Sequence, residues 1–218
     1  MVISVVITEK TTTVASNVSA DALRNIFMIV LKAGSDKTTF NHPVLINSSG
    51  DYLDEFKTLS TVVKESINAI FNNYESTQLH LVNAEEDSSA IDEKDDKTLI
   101  LDAIANLEQI NELDLGVLVI PEFSGLKDSS DPTDTGKAQA IRTAVFNAAE
   151  SLTKKKKWMH YANVATTSNT PALASTEAKL YKSQRGHSAL FYGGVMYSDQ
   201  VVPMSVIAAA IAVRSTST

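Results

Sequence analysis

Apolar and polar positions along this chain switch repeatedly between the two-residue period of strands and the 3.6-residue period of helices. Ile26 to Leu31 (IFMIVL) is an unbroken apolar run of strand length, the pattern of a strand buried on both faces. Gly34 to Lys37 reads as a turn and Pro43-Val44-Leu45-Ile46 as a second short strand. Over residues 58–74 the period changes: Leu59, Val62, Val63, Ile67, Ile70, Phe71 and Tyr74 fall on one helical face. Gln78 to Val82 returns to strand, and the acidic stretch 85–97 predicts an exposed loop. Asp95 or Asp96 at its end is suited to cap a helix over 98–113, where Ile100, Ala103, Ile104, Leu107 and Ile110 recur at helical spacing.

Leu115 to Ile120 (LGVLVI) is the clearest buried strand, and Pro121 stops it. Residues 122–136 have no apolar periodicity and predict a loop. Ile141, Val145, Ala148 and Leu152 mark a helix over 137–153 that ends in Lys154 to Lys157. A strand from Trp158 to Val164, a short helix over 171–182 and a strand from Ser188 to Tyr192 follow, with Gly193-Gly194 read as a turn. The last helix, over 203–214, opens with Pro203. At the other end, Val2 to Ile7 (VISVVI) is β-branched and predicts a strand, which either joins the chain's own sheet or reaches another chain.

Strands alternating with helices predict an α/β fold, with a central largely parallel or mixed sheet flanked by helices and an extended N-terminal β arm. The division expected is an arm over 1–20, an α/β core over 21–214 and a short tail over 215–218.

Composition narrows the function. The 218 residues are 44% hydrophobic and 21% charged, an ordinary globular balance that excludes wholesale disorder. A net charge of -7 argues against nonspecific nucleic-acid binding, which runs on clustered positive charge. With no cysteine, thiol catalysis, disulfides and thiolate metal sites are excluded. No apolar run is long enough to span a bilayer as a helix. The amino end lacks the basic and apolar regions of a signal peptide and is read as mature structure.

Ligands of open α/β sheets sit beyond the carboxyl ends of the strands, so the loop after LGVLVI is the place to look for chemistry. It carries Glu122, Ser124, Asp128, Asp131, Asp134, Gly136 and Lys137. Its aspartates lack calcium-loop spacing and the closing glutamate. Gly136-Lys137 lacks both the earlier glycine of a phosphate loop, since Asp131 stands there, and the following Ser or Thr, since Ala138 does. There is no Gly-x-Ser-x-Gly. The four histidines, His42, His80, His160 and His187, are too far apart in sequence for a helical zinc pair. His80 and His160, inside predicted strands, read as hydrogen-bonded structural residues, and His187 as a loop residue. Lys154 to Lys157 reads equally as an anion patch, as charge favoured at a helix C-terminus, or as a contact to an acidic neighbour. No catalytic, cofactor-binding or metal residue is therefore assigned. An enzyme or small-ligand binder using the loop 122–137 stays as the alternative.

Several stretches, in order, resemble the contractile phage tail sheath family, which also serves bacteriocin-like and other contractile injection systems. His42-Pro43-Val44-Leu45-Ile46-Asn47-Ser48, followed by Asp51-Tyr52-Leu53-Asp54-Glu55-Phe56, is similar to one of its segments. So are Ala69-Ile70-Phe71-Asn72-Asn73 with Leu79 to Asn83, and Leu115 to Pro121 after its helix. Ser188 to Tyr192, Asp199, Val202-Pro203-Met204-Ser205 and Ala208 to Arg214 resemble the segment that ends in the family's Ala-Arg helix. The likeness runs over roughly residues 40–214, with Gly193-Gly194 where the family has Pro-Trp. Family members continue into a C-terminal domain, which the expected division lacks.

The resemblance implies a structural subunit, not an enzyme, without cofactors. Copies would stack as hexameric rings around an inner tube, held by donated strands, and contract to drive the tube through a target envelope. The implied partners are further copies, the inner tail tube protein, and baseplate and tail terminator proteins, with no direct contact to nucleic acid or membrane. The implied place is a virion tail assembled in the host cytoplasm. Val2, Ile3, Val5, Val6 and Ile7 would be the donated strand.

Overall fold

The two runs that are apolar on both sides of the strand stand side by side at the centre of the sheet. A computed structural model describes residues 25–87, 94–111, 113–126, 137–165, 170–181, 183 and 186–215. In it β1 (Asn25–Leu31) is buried over its first six residues and β4 (Gly116–Val119) throughout. They pair in parallel from Asn25–Gly116 to Met28–Val119. On one side of them lie β3 (Gln78–Ala84), parallel to β1, and the edge strand β2 (Pro43–Ile46), antiparallel to β3. On the other side β5 (Met159–Asn163) and β6 (Ser188–Phe191) continue in parallel. The result is a six-stranded mixed sheet in the order β2-β3-β1-β4-β5-β6, flanked by helices.

Alternate side chains feed two separate cores. Ile26, Met28, Val30, Leu79, Leu81, Val117 and Val119 meet α2 (Thr61–Asn73) and α6 (Met204–Ser215) on one face. Phe27, Ile29, Val82, Leu118 and Ile120 meet α3 (Asp96–Gln109) and α4 (Lys137–Lys156) on the other. Asp95 caps α3, accepting a hydrogen bond from the Thr98 amide at 2.8 Å, which decides between the two candidate caps. Trp158, fully buried, stacks on Phe27 at 4.0 Å between ring centroids and donates its indole N–H to the Asp114 carbonyl at 2.9 Å. A buried indole keeps its packing only when that donor is satisfied.

Three elements depart from the sequence reading. Tyr52–Glu55 forms a single helical turn, α1. The helix expected over 137–153 runs on to Lys156, and Lys157, at φ 60, ends it. Residues 194–203 form a hairpin, β7 (Gly194–Tyr197) and β8 (Gln200–Pro203), separate from the main sheet. The short helix α5 (Pro171–Ala178) sits between β5 and β6. The N-terminal arm over 1–20 lies outside the described residues.

Gly116 is where β1 and β4 come closest. A Cβ there would stand 2.6 Å from the Asn25 carbonyl oxygen and 2.8 Å from the Phe27 ring. Backbone cannot yield as a side-chain tip can, so Gly116→Ala should lower unfolding free energy by about 1–3 kcal/mol. Urea denaturation of the two proteins measures this, and equal midpoints would contradict the packing described.

Candidate functional site

The crevice between β1 and β4, at the carboxyl ends of the strands, is where an α/β sheet of this order would receive a ligand. From β1 the chain passes to β3 on one side, then crosses to β4 on the other. The ladder between β1 and β4 ends at Met28–Val119, which leaves the Leu31 amide beyond its last strand partner. Pro121 turns the chain out of the sheet, and Glu122 turns back in. Its carboxylate accepts the Leu31 amide at 3.0 Å and the Ser60 hydroxyl at 2.8 Å. Ser60 is the residue before α2, so one side chain ties together the ends of β1 and β4 and the start of α2. Burial pushes the Glu122 carboxyl above its usual range, against the lowering pull of both hydrogen bonds, and Asp96 adds to the rise.

The neighbouring strand ends are closed in the same way. The buried Asn83 carboxamide at the end of β3 accepts the Ala33 amide at 2.9 Å and donates to Ser35 and to Glu85. Glu85 in turn accepts the Gly34 amide at 2.9 Å. At the end of β5, Asn163 donates to the Gly193 carbonyl and accepts the Ser205 amide at the start of α6. At these strand ends the backbone amides of Leu31, Ala33, Gly34 and Ser205 are satisfied by side chains of the chain itself, which stabilises the edge.

Three of the four histidines are held by contacts within the chain. His160 has no exposed surface; Nδ1 lies 3.3 Å from the Ser188 hydroxyl, and burial pushes its pKa down to about 3. His80 stacks on Phe27 at 4.8 Å and meets the Asn25 carboxamide oxygen at 3.2 Å. His187 Nδ1 lies 3.1 Å from the Trp158 carbonyl oxygen, and His42 is exposed. The lysine cluster acts on the chain itself: Lys155 pairs with Glu108, and Lys156 donates to the Ile110 carbonyl at the end of α3. That is the place where a helix favours a cation. Among the described residues no group of three histidines or carboxylates is placed to hold a metal ion, and no helix is long and apolar enough to cross a membrane. Of the loop 122–137, Phe123 and Leu126 are buried, Lys137 opens α4, and residues 127–136 lie outside the described residues. Val2, Ile3, Val5, Val6 and Ile7 also lie outside them.

What sequence reasoning missed is the outer surface of the hairpin. Met196 and Val201 are cross-strand partners and face outward, 64% and 48% exposed. Val195, Tyr192 and, on α6, Ile211 are exposed as well. Val202, the partner of Val195, and Pro203, the partner of Gly194, are buried, and Val202 joins the core, so the Met196–Val201 pair marks the face of the hairpin turned away from it. Both outer edges of β7 and β8 lack a strand partner among the described residues. Apolar surface gathered in this way marks interaction sites.

Neither a protein-family model nor a curated protein matches the sequence. By structure, the chain is similar to the helical sheath of the anti-feeding prophage in its contracted state, with a TM-score of 0.52 and 17% identity over 99% of this chain and 52% of that one. The chain thus spans about half the length of that sheath protein. At this identity the likeness is one of fold: this is a sheath-like α/β fold.

The part-buried Glu122 and the fully buried His160 give opposite pH signatures. Glu122, raised in the fold, contributes stability that is full below its unfolded value of 4.5 and is lost as pH rises through its folded pKa. Glu122→Gln keeps an acceptor for the Leu31 amide, so its stability relative to the parent should rise with pH. Glu122→Ala should cost about 1–3 kcal/mol at every pH by orphaning that donor. His160, depressed in the fold, contributes stability that is present above 6.5 and lost as pH falls toward about 3. Between pH 6.5 and 4 the parent should therefore lose about 3 kcal/mol more than His160→Leu. Urea titrations across pH measure all three, and parallel pH profiles would contradict these assignments.

Proposed function

We propose that this chain is a structural subunit of a contractile sheath and not an enzyme. Copies polymerise as stacked hexameric rings around an inner tube and contract to drive it through a target envelope. The observation that carries the reading is the fold likeness, over nearly the whole chain, to a sheath in its contracted state. The carboxyl edge supports it, because Glu122 turns into the crevice between β1 and β4 and is engaged there by Leu31 and Ser60. So does the outward apolar face of the hairpin, since a surface of this kind needs a cover.

In this reading the partners are further copies, the inner tube protein, and baseplate and terminator proteins, in the tail of a contractile particle assembled in a host cytoplasm. Nucleic acid and membrane are not contacted directly. Residues 1–20 form an arm in which Val2, Ile3, Val5, Val6 and Ile7 are donated as a strand to a neighbouring copy. Backbone pairing of that kind holds subunits together whatever their side chains, and lets rigid bodies shift between lattices while tethered. A small-ligand site or enzyme using the loop 122–137 is the alternative reading.

Negative-stain electron microscopy of the full chain and of a version lacking residues 1–8 tests the arm. The full chain should form tubes and the truncated one only short or no assemblies. Full-length tubes from the truncated protein would overturn the strand-donation assignment.

A further inference from the structure

Arg142 of α4 and Glu177 of α5 are charged residues placed inside the protein, 8% and 7% exposed, with Arg142 Nε 3.3 Å from Glu177 Oε1. Around them, Tyr181 donates its hydroxyl to Glu177 at 3.0 Å, and the Ala165 amide donates to the other carboxylate oxygen at 2.9 Å. Arg142 donates to the Tyr181 hydroxyl at 3.3 Å and to the Leu126 carbonyl at 3.2 Å. This one cluster joins the segment after β4, the helix α4, the end of β5 and the helix α5.

The apolar attachment of α5 is slight by comparison. Ala174 and Glu177 are its buried residues, while Leu173 in the helix and Leu180 just after it are about half exposed. α3, on the same chain, buries Leu99, Ile100, Ala103, Ile104 and Leu107. Beneath α5, the Tyr181 ring covers Phe146 at 5.1 Å and Phe123 at 6.1 Å between centroids. Those two rings enclose His160, whose Nε2 is buried without a hydrogen-bond partner.

We propose that residues 170–181 are a flap that opens as one unit while the sheet stays folded, latched by the Arg142–Glu177–Tyr181 cluster. The physical reason is the kind of interaction on each side. Segments that open locally are those burying little apolar surface, and apart from the Tyr181 ring residues 170–181 bury little. A buried ion pair holds only while both partners and their hydrogen bonds are in place, so its loss is all-or-none. Opening also uncovers Phe123 and Phe146, the rings that lie between Tyr181 and His160. The flap rests on this geometry and is independent of the assembly reading.

Hydrogen exchange of the full chain, followed by peptide mass spectrometry, tests the proposal. Amides of 170–181 should exchange together, at least about tenfold faster than those of β4, β5 and α4. Glu177→Gln, or Tyr181→Phe as the milder change, should speed that segment further and leave β1 and β4 unchanged. Exchange of 170–181 at the rate of the central strands in the parent protein would overturn the proposal. So would uniform acceleration of every segment in the variants.

Discussion

The carboxyl edge of a parallel sheet must find partners for backbone groups that the strands themselves leave behind, and this chain finds them in its own side chains. Glu122 does so at the most demanding point, between the two central strands, where it also holds the start of α2. Burial of a carboxylate there is costly, and the two hydrogen bonds it accepts offset that cost. Asn83, Glu85 and Asn163 repeat the arrangement along the same edge. Many α/β proteins leave this crevice to a ligand. Here Glu122 makes it part of the structural frame.

The outside is not uniform. One face of the sheet is covered by α3 and α4, whose contact ends in a pairing of lysines with a carboxylate and a helix terminus. The other is covered by α2 and α6, and the hairpin lies over it with valine and methionine turned to solvent. α6 is nearly free of charge along its length, yet Ile211 is exposed. A helix apolar on all sides is ordinarily a buried one. Exposed apolar surface of this kind is what a partner's surface would cover.

Much of the fold was legible because its strongest signals are local. IFMIVL and LGVLVI had to be doubly buried, and they are the two central strands. The α3 cap followed from an aspartate ahead of an apolar period. The hairpin was hidden by its turn. Two-residue hairpin loops usually announce themselves with Asn-Gly or Asp-Gly, whereas here Ser198, at φ 51, and Asp199 make the turn. Gly193-Gly194 was legible as a turn but not as the start of a strand. At Gly194 a Cβ would stand 2.4 Å from the Val202 carbonyl oxygen, so the glycine serves close strand approach. Glu122 was visible only as a polar residue after a proline. Its role depends on Leu31 and Ser60, distant in sequence, and no local pattern encodes such a meeting.

The proposed sheath role requires that copies of this chain assemble with one another. Sedimentation velocity of the full chain over a broad concentration range, with no small molecule added, tests it most directly. The account predicts growth from small species into large, rod-like polymers as concentration rises. A single monomeric boundary at every concentration would contradict it.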